Sequence, residues 1–373
     1  MKEIFRWIVI IFGTCVILLV LAVIVFRAYN GNETKESKLK RSDKSFQENK
    51  SIHQGFVEVY SKEGKLLHRY GKNMKEEDSY VLASITKLYT HALVYALVDQ
   101  GKMDLKEKIS SILPEEEWKG INIIAGKEYS DQITLQHLID QNSGLADYET
   151  DKIQGQEVLM ERLMKEDFPI SPKDAIELTK NLEGKGEPGS SKAYYSNLNA
   201  ILLGRAIEEK TGMALEEAMN HYIFKPLNLE KTKLISQDQE IIPFYVEEKT
   251  LDRPLYIQSS LAPGGLVSTG KENFIFLQAF FTGKLFNEKH LENPSFRSIQ
   301  FFPLKHGAGM MEVELPFLLS PFIDCPEILG HSGSTGSFAF YCPQREIYIV
   351  GSMNQVKQQP FQVVYNYLDS FKK

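Results

Sequence analysis

Ser84-Ile85-Thr86-Lys87-Leu88-Tyr89-Thr90-His91-Ala92-Leu93-Val94-Tyr95-Ala96-Leu97-Val98 opens on a serine and a lysine and then runs apolar on nearly every side. A run of this kind reads as a helix buried all round, not as an amphipathic surface helix. Gly101 stops it. Ser84 and Lys87 are three apart, so a helix sets them on one face. Ser84 falls in the first turn, where backbone N–H groups are unpaired and the local field is positive. That field favours an oxyanion beside the serine and, with desolvation, disfavours a charged Lys87. Bringing a lysine from about 10.4 to near 7 takes roughly 4–5 kcal/mol at 1.36 per unit. A neutral Lys87 can then accept the proton of Ser84.

The S-x-x-K pattern alone is weak, because it occurs at Ser37–Lys40, Ser84–Lys87 and Ser268–Lys271. The first lies in a polar stretch. The last begins Ser268-Thr269-Gly270-Lys271-Glu272, where Thr269 and Glu272 have capping-box spacing and simply start a helix. Only Ser84 opens a long buried helix.

Working outward, Trp7 to Phe26 is a run of 20 residues without a charge. At 1.5 Å per residue it spans roughly 30 Å, one bilayer core. No small-x-small cleavage site follows closely, so residues 1–27 read as a transmembrane anchor and not as a cleaved signal. Arg27, Lys35, Lys38, Lys40 and Arg41 follow the span, and by the positive-inside rule they argue against an exterior domain. Residues 28–50 are polar and charged and read as a linker without a core of its own. Residues 51–373 suffice for one large core or two subdomains. The net charge of −6 indicates no attraction to nucleic acid. Among Cys15, Cys325, Cys342 and the histidines, no zinc spacing occurs, so no metal or other cofactor is expected. Cys325 and Cys342 read as small core residues.

Gly55–Tyr60 and Lys65–Tyr70, joined by Ser61-Lys62-Glu63-Gly64, predict a β-hairpin. Helices are predicted over 134–140, 156–166, 173–182, 198–210 and 215–222. Gly184-Lys185-Gly186-Glu187-Pro188-Gly189 formally matches G-x-G-x-x-G, but it follows a helix and runs into Pro and Ser, so it is read as a loop. Strands return at 327–331, 337–341 and 347–352, and a last helix runs from 361 to 371. A hairpin is not stable alone. The simplest α/β (α+β) arrangement is therefore an antiparallel five-stranded sheet of N- and C-terminal strands flanked by helices. A mostly helical subdomain, about 105–255, is inserted into it.

Two further polar clusters stand out. Tyr194-Tyr195-Ser196-Asn197 precedes the helix at Leu198, and its plain reading is a helix cap with a packing tyrosine. His331-Ser332-Gly333-Ser334-Thr335-Gly336 lies between two strands, and its plain reading is a Gly/Ser turn. Together, and in this order, Ser84-x-x-Lys87, Tyr195-x-Asn197 and His331-x-Gly333 resemble the beta-lactamase-related serine hydrolases. That family includes class C beta-lactamases, D-Ala-D-Ala carboxypeptidases, related esterases and penicillin-binding-protein-like surface proteins. The likeness extends over about residues 53–355. It takes in Tyr80–Lys87, Thr134–Tyr148, Glu187-Pro188-Gly189, Lys225–Leu229, Ala262–Thr269 and Gly330–Gly336.

The resemblance implies a fold like the one above and a set of roles. Ser84 would be the acylated nucleophile. Lys87 and Tyr195 are rival bases, since a phenolate can persist beside an ammonium. Asn197 would hold a substrate amide. His331 would stabilise a substrate carboxylate or hydrogen-bond Tyr195. Gly333 would keep its strand clear of substrate. The N–H groups of Ser84 and Ser334 would form the oxyanion hole, where losing one donor costs about 2.7–4 kcal/mol. Two departures matter: Gln141 stands where the family often has histidine, and His331 where class C lactamases have lysine. No G-x-S-x-G elbow and no H-E-x-x-H occur, which disfavours an alpha/beta-hydrolase and a metallopeptidase. His91, seven residues beyond Ser84, reads as a core residue roughly 10 Å along the axis. The resemblance also implies the partners: a cell-wall peptide or D-alanylated polymer, beta-lactams, and the membrane through residues 7–26. It places the domain outside a bacterial cell, against the charge rule. The expectation is thus a membrane-anchored serine acyl hydrolase. A beta-lactamase or small-ester esterase is the enzymatic alternative, and a penicillin-sensing scaffold the alternative of another class.

Overall fold

Ile347–Ser352, an unbroken Ile-Tyr-Ile-Val run followed by Gly and Ser, is buried along its whole length, as a strand covered on both faces must be. It is the second partner of Gly55–Ser61, with Phe56 opposite Ser352 and Val59 opposite Ile349. This computed structural model describes residues 2–31, 33–235, 242–316, 319–320, 323–356 and 358–372. The sheet is antiparallel throughout, in the order 297–298, 305–307, 310–313, 328–332, 337–342, 347–352, 55–61, 66–72. The N-terminal hairpin therefore does join the C-terminal strands. The sheet has eight strands rather than the expected five. The three additional strands are Arg297–Ser298, Lys305–Gly307 and Met310–Val313. The last two are linked through Ala308 and Gly309, both at positive φ (47° and 75°). That is the geometry of a two-residue hairpin turn.

The helix predicted from Ser84 runs Thr86–Asp99, with every residue from Thr86 to Leu97 buried. Ser84 itself lies just ahead of it, in a 3-10 turn over Ala83–Ile85. Gly101 terminates the segment at φ 69°. The helix packs in the same apolar core as Asn197–Thr211 and the short Leu261–Gly264 helix. Truncating a fully buried leucine there, such as Leu93, removes about 2–5 kcal/mol. A small sheet of Lys233–Leu234, Leu266–Ser268 and Tyr80–Val81 fixes the approach to Ser84. The short helix Leu261–Gly264 leads through Gly265 into the strand Leu266–Ser268, and Thr269 then caps the helix Gly270–Phe281. Helices are the main regular structure of the inserted region, but long irregular stretches join them, and it carries two small hairpins, 123–128 and 244–251. The helix expected over 156–166 is confined to Leu159–Leu163, and that over 215–222 to Leu215–Met219 followed by a π-helical turn. Residues 184–189 form a loop, as read.

The chain divides into two units. The one just described comprises residues 50–314 and 327–360, and the other 1–49, 315–326 and 361–373. Within the second, 28–50 departs from the expectation of an unstructured tether. The N-terminal helix Lys2–Gly31 continues into it, and a further helix, Lys35–Glu48, is capped by Thr34. Its Phe46 is buried, Ser42 donates to the Asn366 carbonyl (3.0 Å), and Lys38 pairs with Asp369 (3.1 Å). A single buried aromatic and polar ties to the helix Phe361–Leu368 and the turn at Asp369 after it, among them Tyr367 O–H to Asp43 Oδ1 (2.9 Å), order this polar stretch, which its composition did not indicate. Phe5–Val23 is long and apolar enough to cross a membrane. Cys325 and Cys342 are both buried thiols.

Candidate active site

The position of Ser84 is set by a backbone feature. Ala83 sits at φ +47°, the left-handed region that costs an alanine roughly 1–2 kcal/mol. The turn is clamped from the sheet side. Ser337 Oγ donates to the Leu82 carbonyl (2.8 Å) and Thr335 Oγ1 to that of Val81 (3.3 Å), while Leu82 N donates to Leu266 O (2.9 Å). A Cβ on Gly333 would lie 2.2 Å from Ser337 Oγ, 2.6 Å from Leu82 O and 2.9 Å from Ala83 Cβ. The glycine therefore clears space for the turn that bears Ser84, and not primarily for substrate as expected.

Ser84 Oγ lies between two buried groups. Lys87 Nζ donates to it at 3.1 Å and to the Pro263 carbonyl at 2.9 Å. Tyr195 O–H donates to it at 2.8 Å. The Lys87 nitrogen is also 5.1 Å from the centre of the Tyr195 ring. Burial pulls Lys87 down to about 8, against the pull of the Glu149 and Asp147 carboxylates, which favour its charge. Burial drives Tyr195 well above its ordinary value, and Asp147 and Glu149 push the same way. The phenolate expected from the proximity of Lys87 is therefore not the resting state; the phenol keeps its proton. Of the two rival bases, only Lys87 has a reachable unprotonated form near pH 8.

Tyr195 reaches Ser84 because the turn before Asn197–Thr211 is tightly held. Ser196 Oγ accepts from Leu198 N, as an N-cap should, and donates to the Ala146 carbonyl (2.8 Å). Gln141 is buried, and its Oε1 accepts from Ser196 N (2.9 Å) and Asn199 Nδ2 (2.7 Å). This residue, where the family often has histidine, thus holds the tyrosine's own turn. Asn197 N donates to Asp147 Oδ1 (2.9 Å), and Asn197 lines the cleft.

The cleft in front of Ser84 has a volume of about 560 Å³. Tyr195, Gly333 and Ser334 line it with Ser84 and Asn197, so five of the expected site residues meet there. His331 does not. It is fully buried behind that wall, its Nδ1 lies 2.7 Å from the Ser332 carbonyl oxygen, and its ring centre is 6.4 Å from that of Tyr195. Burial, then Lys87, holds it down at about 3, so it is neutral and supplies no charge for a substrate carboxylate. Its Nε2 has no hydrogen-bond partner. His91 is a core residue, as read, with Nδ1 at 2.7 Å from Gly309 O.

Sequence reasoning missed Asp147, Glu149 and Tyr256. All three line the cleft. Tyr256 donates to Glu149 at 2.6 Å, and burial raises Glu149 to about 7, with Asp147 adding to the rise. Asp147 accepts from Thr150 Oγ1 at 2.7 Å. The signal available was the acidic run Asp147-Tyr148-Glu149 directly after Ser143-Gly144-Leu145-Ala146. Nothing in it distinguishes inward from outward carboxylates. Among the described residues, no group of three or more His, Cys, Asp or Glu has the geometry to hold a metal ion.

A family model described as Beta-lactamase matches residues 41–370. The chain belongs to the beta-lactamase family. Among curated proteins, it is 32% identical to N-acetylmuramyl-L-alanine amidase of Bacillus subtilis (strain 168) over 179 residues, which cover 46% of this chain and 37% of that protein. It is 26% identical to penicillin-binding protein 4 of Amycolatopsis lactamdurans over 175 residues, 46% of this chain and 41% of that one. The matches thus span about two fifths of each relative's length. Among solved structures, D-amino acid amidase from Ochrobactrum anthropi SV3, complexed with D-phenylalanine, aligns with a TM-score of 0.71 at 18% identity. That alignment covers 90% of this chain and 99% of that one. At that identity the likeness establishes the fold alone.

Proposed function

We propose that this member of the family is a membrane-anchored serine acyl hydrolase working through a Ser84 acyl-enzyme, with D-alanyl amides or esters of cell-wall polymers as its substrate class. One observation carries the reading: a serine oxygen touched at 3.1 Å by a buried lysine and at 2.8 Å by a buried phenol. In acylation, neutral Lys87 takes the Ser84 proton as Oγ bonds to the substrate carbonyl carbon. The bond to the leaving group then breaks, and the Tyr195 hydroxyl gives that group its proton. Lys87 restores the tyrosine's proton. Water repeats the sequence at the ester to release the acid. Ser84 and Ser334 N–H groups would receive the oxyanion, and Asn197 a substrate amide. The D-alanyl class is supported by the kinship with a penicillin-binding protein and a muramyl amidase, and the anchor by Phe5–Val23.

The test is intact-mass spectrometry of the full chain and its Ser84→Ala variant, each incubated with a beta-lactam or a D-alanyl ester, with released product assayed. A D-alanyl adduct or turnover absent from the variant supports the reading. A lasting beta-lactam adduct alone favours a penicillin-sensing role. The absence of both leaves the fold and removes the reading. Protease shaving of intact cells tests the exterior placement, which fails if residues 51–373 survive untouched.

A further inference from the structure

Beside the main core lies a second, separate apolar cluster that includes Val81, Ala83, Phe244, Leu251 and Ile257, with Met164 packed on it. These six residues also line the cleft. Two of them precede Ser84 by three residues and by one, so the apolar wall begins at the nucleophile's own turn and leads away from it. Val81, Ala83, Phe244, Leu251 and Ile257 are themselves buried and Met164 is half-buried, so this side of the cleft is a packed carbon surface, and a substrate group lying on it leaves water for apolar neighbours.

The wall is fixed. Asp167 accepts from Leu255 N (2.9 Å) and Tyr256 N (3.1 Å), Ile170 N donates to Ser259 Oγ (2.8 Å), and Arg253 Nε donates to the Leu163 carbonyl. The helix bearing Ile257 is thereby tied to the segment bearing Met164. A cleft of about 560 Å³ is of the size that takes drug-sized ligands. The methyl of an alanyl group covers little of it.

We propose that the substrate carries an extended apolar group, an aliphatic chain of about six carbons or an aromatic ring, next to its scissile carbonyl, and that this group lies along the wall from Ala83 to Met164. The inference rests on the Ser84 acyl-enzyme part of the reading above and departs from its D-alanyl substrate class, which has no extended apolar group beside the bond. Each methylene that leaves water raises kcat/KM about fourfold, until the wall is covered.

The test uses the full chain in nanodiscs and two ester series, each corrected with Ser84→Ala. One varies the acyl group from acetyl to hexanoyl on a fixed 4-nitrophenyl leaving group. The other varies the alcohol from methyl to hexyl on a fixed acetyl group. A rise of three- to fourfold per methylene in either series is expected. Met164→Asp should lower the ratio of hexyl- to methyl-chain kcat/KM in that series at least tenfold. Flat or falling profiles in both series, with Ser84-dependent cleavage of the short esters, overturn this inference and leave the serine-hydrolase reading intact. Equal loss on short and long esters in Met164→Asp also overturns it, because it marks a purely structural role. No Ser84-dependent cleavage of any ester overturns the underlying reading and this inference together.

Discussion

Acidification should stop acylation while the protein is still folded, because in the proposed mechanism the base is a lysine kept close to neutrality by burial. Lys87 is fully buried, and its fixed acceptors are Ser84 Oγ and Pro263 O. Those two do not replace a hydration shell, so its pKa drops from 10.5 to about 8 even with Glu149 and Asp147 opposing the drop. A drop of that size corresponds to about 3 kcal/mol of disfavoured charge. With a base titrating at about 8, the neutral fraction is about one half at pH 8, about 9% at pH 7 and about 1% at pH 6. Acylation should therefore fall about fiftyfold from pH 8 to pH 6, tenfold per unit on the acid limb. An unshifted lysine would be only about 0.03% neutral at pH 7, some 300-fold worse than the buried one. The assay is single-turnover acylation by a beta-lactam or activated ester, followed by rapid-quench intact mass from pH 5.5 to 9.5, with circular dichroism confirming the fold. Lys87→Arg, permanently charged, should be slow and pH-independent. A profile flat from pH 6 to 9 would refute the reasoning. So would a limb that survives in Lys87→Arg and disappears in Tyr195→Phe, which would assign the base to the phenol.

Lys87→Met should abolish acylation and raise the melting temperature, since it removes a poorly solvated ammonium. In the parent, stability should rise between pH about 8 and 10.5, where only the unfolded chain still binds that proton, and differential scanning calorimetry should find this rise missing in the variant. Tyr195→Phe deletes the 2.8 Å donor to Ser84 and should slow acylation about 10²–10⁴-fold, while the acid limb near pH 8 persists in the pH profile. Gly333→Ala puts a Cβ 2.6 Å from the Leu82 carbonyl and should push the Ser84 turn aside; a loss of about 100-fold in acylation is expected, measured against a melting temperature that changes little. Gln141→Leu strips Ser196 N and Asn199 Nδ2 of a buried acceptor and should cost about 1–3 kcal/mol per group in urea unfolding.

The sequence carried the helix after Ser84, the N-terminal hairpin and the three central C-terminal strands, because each is a long apolar or alternating run. It did not carry the strands at 297–313. They are two to four residues long, and their turn places an alanine, Ala308, at positive φ, where turn chemistry leads one to expect glycine or asparagine. The helix Lys35–Glu48 was hidden for a different reason: one buried phenylalanine is too little to shift the composition of a polar stretch. At the site, residue types and order indicated which side chains meet, and Ser84, Lys87 and Tyr195 do meet. What they could not indicate was electrostatic state. Whether Tyr195 is a phenolate, whether His331 is charged and whether Glu149 faces inward all depend on burial, which is a property of the whole fold.

The motif residues do two different jobs, and the structure separates them. Ser84, Lys87 and Tyr195 hold the protons. Gly333, Thr335 and Ser337 from the third motif region, and Gly264 and Leu266 from the Ala262–Thr269 segment, converge instead on residues 81–83. Gly264 faces the Ala83 backbone, which a Cβ added there would meet at 3.7 Å, Gly333 leaves no room for a Cβ against it, and Leu266 O takes the Leu82 amide. Ala83 is the residue in a strained conformation, so these contacts do not serve the substrate first. They over-determine a turn that would otherwise relax, and a relaxed turn would carry Ser84 Oγ away from Lys87 and Tyr195. The separation of the motifs along the chain follows from this. A turn held from one side can swing, whereas one held both from the sheet strand 337–342 and from the 261–268 helix–strand segment cannot, and those two segments lie far apart in sequence.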